Sequence, residues 1–398
     1  MSPPTILEKN KFGYDWVLLN SRWYIVQNYS PDKLADDTDI PIVTDQSEWN
    51  GRTTPARCVY NNSIDAEFID KYGFIYNRHA VNAGLKMPCS GCHVATGQEW
   101  ISLKNWMIAN GFNWDGTTEG NKIGKALASD GGEWNGSATS GHVGNDQSGN
   151  NSSGFTALPG GYRWGNEFSQ FAAIGTRIRY HCVGNIIPSL SHNRVDLLFT
   201  DGVELNNDNG YYVKITATAP VVTFNSNGGS AVEDEVTFVG ELATAPTAPT
   251  RAGFNFNGWY SDEALTTEWD FATDTVDADT TLYAGWAEIP VINGDVQSGP
   301  ASVLSSIKPL AIITAAVQSG IASVSASVKP IATVIGNAIS GSATVTGTAK
   351  TVVKIIGSVQ SGVASVTARI FPFVEMKTSE LRIFTVPFKS RIYTKKRR

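Results

Sequence analysis

The chain's 398 residues, 41% of them apolar and 17% charged, suit two or three folded domains and exclude disorder throughout. No stretch approaches the ~18 consecutive apolar residues of a membrane-spanning helix, and the opening MSPPTILEKNKFGYDW lacks the basic-then-apolar plan of a secretory signal, so neither membrane insertion nor leader-driven export is expected. The net charge of −6 is uneven: residues 1–294 carry −16, while residues 376–398 hold eight Lys and Arg against one Glu. So acidic a front repels polyanions and argues against nucleic acid as a partner. Four cysteines (Cys58, Cys89, Cys92, Cys182) are too few for a disulfide scaffold, so a packed core must hold the fold.

Aromatic residues set the boundaries, since eight of the eleven Trp precede residue 220 and no Phe, Trp or Tyr occurs between Trp286 and Phe371. Residues 1–218 read as one α+β domain in which the strand-like runs WVLLN, RWYIVQN, ARCVYNN, GFIYNRHAV, VDLLFT and YYVKITAT surround at least one helix. That helix starts at the capping box Thr96-Gly-Gln-Glu99 and carries Trp100, Leu103, Trp106 and Met107 on one face, toward the core. Residues 221–288 form a smaller unit between the strands VVTFNSNGG, with its turn signal Asn227-Gly228, and TLYAGWAE. Phe254, Trp259, Tyr260, Trp269, Phe271, Tyr283 and Trp286 are its expected core.

Residues 296–375 hold four copies of a 21-residue repeat, VQSGPASVLSSIKP, VQSGIASVSASVKP, AISGSATVTGTAKT and VQSGVASVTARIFP, in register at Gly299, Gly320, Gly341 and Gly362. Ala and Val alternate with Ser and Thr, which predicts two strands and two turns per copy. Such small side chains give a core too thin for one copy alone, so stacking into a β stalk is expected. Residues 376–398 set Arg382-Ile383-Phe384-Thr385 against Arg391-Ile392-Tyr393-Thr394 and end in KKRR, a composition suited to docking on another surface.

The succession WYIVQNY, DDTDIPIVTDQSEW, TTPARCVYNN, YGFIYNRHAVNAG, CHVATGQEW and GFTALPGGYRWGNEF resembles the Fibrobacter succinogenes major paralogous domain, found on surface proteins of Bacteroidetes-type bacteria and their phages. The resemblance implies a C-type-lectin-like fold for 1–218. Residues 221–288, through VTFNSNGG, PTRAGFNFNGWYSD, WDF and TLYAGW, resemble the Listeria–Bacteroides repeat, which implies a small β-grasp-like spacer or adhesive module without catalytic residues. The SGSATVTGTAK-type repeat and the RIFTVPFKSRIYT tail are similar to segments of phage virion proteins. The fold class is therefore multidomain and mainly β: an α+β C-type-lectin-like domain, a small β-grasp-like domain, a repetitive β stalk and a basic docking tail.

Chemistry-bearing motifs are sparse. Cys89-Ser90-Gly91-Cys92-His93 satisfies the C-x-x-C-H rule for haem attachment, but attachment follows export and these residues fall in a structural stretch just before the helix, so no haem is expected. Zinc on Cys89, Cys92 and two of His93, His181 or Cys182 would need four convergent ligands; otherwise the two thiols are buried or loosely exposed and pair if oxidised. The five His follow no H-E-x-x-H spacing and no Ser sits in a G-x-S-x-G elbow, so no enzyme, catalytic residue, cofactor or metal is expected.

Residues 177–209 mix Arg, Tyr, His, Asn and Ser with few apolar runs, as binding loops do; the other reading is an ordinary polar loop between strands. Arg179, Tyr180, His181, Asn185, His192, Asn193 and Arg194 are the candidate ligand contacts. The expected function is a phage virion fibre or decoration protein on the virion surface, attaching to a host glycan or protein. Its expected partners are other virion proteins through the C-terminal region and further copies of itself, a trimer being one arrangement, with no nucleic acid and no membrane insertion. The alternatives are a purely structural capsid or tail decoration and a bacterial surface adhesin.

Overall fold

The computed structural model describes residues 6–165, 170–184, 186–201 and 208–289 and, as backbone strands, 291–296, 301–307, 310–328, 331–349, 352–370 and 373–378. The candidate contact Asn185 and the basic tail from residue 379 onward lie outside the described residues. The described chain is mainly β with few, short helices, its strands distributed over several sheets. It divides into two compact units, Met1–Thr223 with Asp234–Ala245 and Asp270–Thr280, and Phe224–Glu233 with Pro246–Trp269 and Thr281–Arg398.

The first unit rests on two sheets. One runs in the order Ile6–Lys11, Tyr14–Leu19, Arg22–Ile25, Ile215–Thr218, Cys92–Val94, antiparallel throughout. Its first three strands turn on Phe12-Gly13 (φ 54 and 80°) and Asn20-Ser21 (φ 52 and 56°), the left-handed pairs that a two-residue hairpin loop requires. The strand Ile215–Thr218 returns between Arg22–Ile25 and Cys92–Val94, so the two ends of the domain lie side by side. The other sheet runs Leu198–Asp201, Ile186–Ser191, Arg177–His181, Gly160–Arg163, Phe171–Ile174, with Tyr212–Val213 paired parallel to Tyr180 and His181.

The helix Gly97–Ala109 begins where its capping box predicts: Thr96 Oγ1 accepts from the Glu99 amide at 3.1 Å, and Glu99 Oε2 from the Thr96 amide at 2.8 Å. Trp100, Leu103 and Met107 are buried, while Trp106 is half-buried against Phe112. Two expected strands prove shorter. After Ile75–Tyr76, Asn77 caps the helix Arg78–Ala83, its Oδ1 accepting from the amides of Ala80 and Ala56 at 3.0 Å each. After Arg57–Cys58 the chain enters a 3₁₀ turn, Tyr60–Asn62, in which Asn61 and Asn62 take left-handed φ. In both runs an Asn side chain or left-handed Asn backbone ends the extended conformation that the apolar pattern favours.

Two buried basic side chains lock loops to this core. Arg163 donates to the carbonyls of Val43 (2.6 Å), Thr44 (3.2 Å) and Asp45 (3.1 Å) and lies 4.3 Å from the Trp49 ring centroid. Lys214 Nζ donates to the carbonyls of Ile25 (3.0 Å), Val26, Gln27 (3.2 Å) and Phe155 (3.3 Å). Such saturation by acceptors offsets the cost of burying polar nitrogens, and burial pushes the Lys214 amine well below its ordinary pKa.

The first unit extends past the boundary expected near residue 218. Phe238 is buried in a box of aromatic rings: it stacks on Trp23 at 4.8 Å between centroids and stands edge-on to Trp16 (5.2 Å) and Phe12 (5.3 Å), while Trp23 Nε1 donates to the Thr237 carbonyl at 2.8 Å. Burial of an aromatic side chain stabilises by ~2 kcal/mol or more, so this insertion makes Asp234–Ala245 part of the N-terminal packing.

In the second unit Phe254–Tyr260 pairs antiparallel with Thr280–Glu288, and Asn227-Gly228 forms the expected turn with φ of 46 and 83°. Of the seven aromatic residues expected to form its core, only Trp259 is buried; the others are half-exposed. Phe224 and Phe256 pack edge-on against Trp259 at 5.0 and 5.5 Å. A module this small has little interior to offer seven large side chains.

The repeats correct the expected two strands per copy. Leu310–Val328, Ile331–Ala349 and Val352–Ile370 are each one strand of 19 residues, and successive strands pair in parallel at an offset of 21, as in Leu310↔Ile331↔Val352↔Phe373. A straight strand of that length would span ~60 Å. Yet Val328 is three virtual bonds from Ile331, hence within ~11 Å of it, and Ile331 lies one ladder spacing of ~4.8 Å from Leu310. Each strand must therefore bend back until its end approaches its own start, so the repeats coil as a parallel β-solenoid of 21 residues per turn. The ladder runs from Leu310 to Val317 and from Ser319 to Val328 at one constant offset. In the first coil the described strands Val291–Val296 and Ala301–Ile307 pair with Leu310–Val328 at the same offset of 21.

Candidate functional site

Three surface loops of the first unit, 113–122, 137–145 and 192–197, are bonded into one face. Asn113 is the strut of the first: its buried Nδ2 donates to the carbonyls of Glu119 and Gly120, both at 3.1 Å, and its Oδ1 accepts from the Lys122 amide at 2.9 Å. Asp115 accepts from the Thr117 amide (3.1 Å) and hydroxyl (2.7 Å) and pairs with Lys122 Nζ at 2.5 Å; the bonds from Lys122 and Thr117 hold its carboxyl at about 2. Asn121 Nδ2 then reaches the Leu197 carbonyl at 2.8 Å. The amides of Val143 and Gly144 donate to the carbonyls of Arg194 (2.9 Å) and His192 (2.7 Å), and Arg194 grips Asp196 with two bonds of 2.7 and 2.8 Å.

Trp114 stands on this face, 42% exposed and the only exposed member of the chain's eleven Trp. A Cβ on Gly141 would overlap its indole, so the glycine admits the ring. The same loop hollows into a depression lined by Gly116, Thr117, Thr118, Glu119 and Lys122. An open indole beside amides, hydroxyls and internally paired charges suits stacking and hydrogen bonding to a ligand. Ser137 Oγ and His142 Nδ1 lie 2.8 Å apart, but they close their own turn, and among the described residues no carboxylate bonds His142.

The structure separates the candidate contacts. Tyr180 is fully buried and stacks on Trp100 at 5.4 Å. Arg179, 4% exposed, spreads its guanidinium over Tyr162 (4.3 Å) and Trp164 (5.4 Å). His181 is buried, and its Nε2 donates to the Tyr76 carbonyl at 2.8 Å; burial outweighs that bond and draws its pKa down to about 3. These three sit on the inner strand Arg177–His181, flanked on both sides by other strands, and are corrected from surface contacts to core. His192, Asn193 and Arg194 form the turn after Ile186–Ser191, with Asn193 and Arg194 exposed, and they share the Trp114 face. Trp114 escaped sequence reasoning because a lone Trp reads as core; its setting, Asn-Trp-Asp-Gly, is a turn composition that signals display.

Cys89 and Cys92 form a disulfide, so the thiols that haem or zinc would take are bonded to each other. Cys58 and Cys182 are buried and free, and burial pushes the Cys58 thiol up to about 11. Next to the bridge, Glu99 binds His93 Nε2 (2.9 Å) and Arg22 Nη2 (2.5 Å). Burial alone would raise the Glu99 carboxyl, but His93, the Thr96 amide and Arg22 together bring it to about 2; the bond to Glu99 in turn raises His93. Among the described residues no three His, Cys, Asp or Glu gather as a metal site, and no helix is long and apolar enough to cross a membrane.

Comparison with known proteins places two families on this framework. Residues 17–182 match the Fibrobacter succinogenes major domain and residues 221–285 the Listeria-Bacteroides repeat domain. A protein of Evansella cellulosilytica, provisionally named a Gly-rich membrane protein, is 44% identical over 96 residues, which is 24% of this chain and 11% of its own length. A second from that organism, provisionally named a membrane protein, is 38% identical over 97 residues, 24% of this chain and 14% of its own length. Internalin H of Listeria monocytogenes is 56% identical over 45 residues, 11% of this chain and 8% of its own length. The chain thus spans only about a tenth of the length of these relatives.

Proposed function

We propose that this chain is a bacterial surface protein whose first domain presents an attachment face at the Trp114 loops, for a glycan or protein on another surface, with the repeat module and solenoid as its support. The two matched domains and the membrane-protein and internalin names of the relatives favour this adhesin alternative over the virion reading. The Cys89–Cys92 bridge agrees with it, because disulfides persist mainly outside the reducing cytosol. In this proposal the lectin-like fold implied by resemblance holds the ligand loops and the β-grasp-like module is a spacer. The observation that carries the site is the exposed Trp114 on loops fixed by their own hydrogen bonds.

Trp114→Ala in the full chain should weaken adsorption to target cells by ~1–3 kcal/mol while changing the melting temperature little. Unchanged adsorption with a lowered melting temperature would make Trp114 scaffold. Antibody labelling and protease shaving of intact source cells test the location; protein found only inside the cell or on phage particles would overturn the surface reading.

A further inference from the structure

We propose that the Cys89–Cys92 disulfide is a redox latch that holds the Phe238 arm of the repeat module on the first domain. The bridge closes the turn 89–92, in which the Cys92 amide donates to the Cys89 carbonyl at 3.3 Å, and Cys92 opens the sheet strand Cys92–Val94. The tip of that turn faces the arm: the Val239 side chain rests where Gly91, at φ 72°, has no Cβ, and Gly240 lies beside Ser90. Cys89, Cys92 and Val236 pack against the same apolar cluster that holds Phe238, Trp16 and Trp23. Lys11 adds an ion pair to Glu241 at 2.6 Å. Both cysteines are half-buried while Ser90 and Gly91 are exposed, so a small thiol reaches the bond.

The closed loop holds four residues, too few for its opening to free much chain entropy, so the consequence of reduction is local rather than global. A low-molecular-weight thiol supplies the reducing equivalents. Its thiolate attacks one Sγ, the S–S bond breaks and the other cysteine leaves as thiolate; a second thiol then displaces the mixed disulfide. The protein gains two electrons and two protons as two Cys thiols, and the reductant departs as its own disulfide. The opened tip no longer holds the shape against which Val239 rests, and the arm 234–242 separates from the domain more often.

The experiment is hydrogen exchange of the full chain with and without dithiothreitol, with alkylation and mass measurement to verify that both cysteines are reduced. Amides of the arm should exchange ~10-fold faster after reduction, while Arg22–Ile25 and Gly97–Ala109 keep their protection. Cys89→Ser with Cys92→Ser should reproduce the reduced pattern without reductant, and Phe238→Ala with the bridge intact supplies the undocked reference. Unchanged exchange with both thiols alkylated overturns the latch. Faster exchange throughout the domain overturns it too, because the bridge would then be a general staple.

Discussion

The N-terminal domain and the coiled repeats hold their chains by opposite means. In the domain, particular side chains meet across long sequence separations: Trp16, Trp23, Trp49 and Trp100 are fully buried, and the indole nitrogen of Trp23 reaches the carbonyl of Thr237 at 2.8 Å. The repeats contain no aromatic residue between Trp286 and Phe371, and what defines them is a backbone ladder renewed every 21 residues. One region depends on irreplaceable residues and the other on an uninterrupted period. A large side chain that packs in one place only confers a unique fold, whereas equal rungs each add the same increment.

That contrast can be broken most severely at Lys214. Replacing it by Met leaves the four carbonyls of Ile25, Val26, Gln27 and Phe155 buried without their donor, and denaturant unfolding should show a loss of ~4 kcal/mol. The solenoid should tolerate far more if its period is respected. Deleting residues 331–351, one whole turn, should leave the circular dichroism of the remaining coils unchanged per residue, because Leu310 then meets Val352 at the old offset; deleting Val345 alone should disrupt the ladder around it.

Acid should discriminate next. His181 titrates at about 3 in the folded chain and near its ordinary value when unfolded, so the unfolded chain binds the proton first as pH falls. Stability is therefore complete above ~6.5 and declines by up to ~1.4 kcal/mol per pH unit below it, a slope that His181→Gln should flatten in urea titrations between neutral and acid pH. The smallest effect belongs to His93, whose pKa is raised by its bond to Glu99. Its contribution is present below its unfolded value and disappears as pH rises through the folded one. Because the pair is partly exposed, melts at mildly acidic and mildly alkaline pH should differ through it by less than ~1 kcal/mol.

Local signals were legible in the amino-acid order alone. The capping box at Thr96 and Glu99, the turn at Asn227-Gly228 and the 21-residue period each rest on contacts between near neighbours or on repetition, and each has its counterpart in the structure. The burial of Arg179 and His181 was not legible: polar residues in a strand look like surface until aromatic faces and a carbonyl from residues 76, 162 and 164 arrive to satisfy them. The display of Trp114, the seating of Phe238 among Trp16, Trp23 and Phe12, and the bending of each 19-residue strand into a coil were likewise decided only by tertiary structure. Period and capping depend on residues a few positions apart, whereas burial depends on which distant segments close over a side chain, and that is settled only when the whole chain has packed.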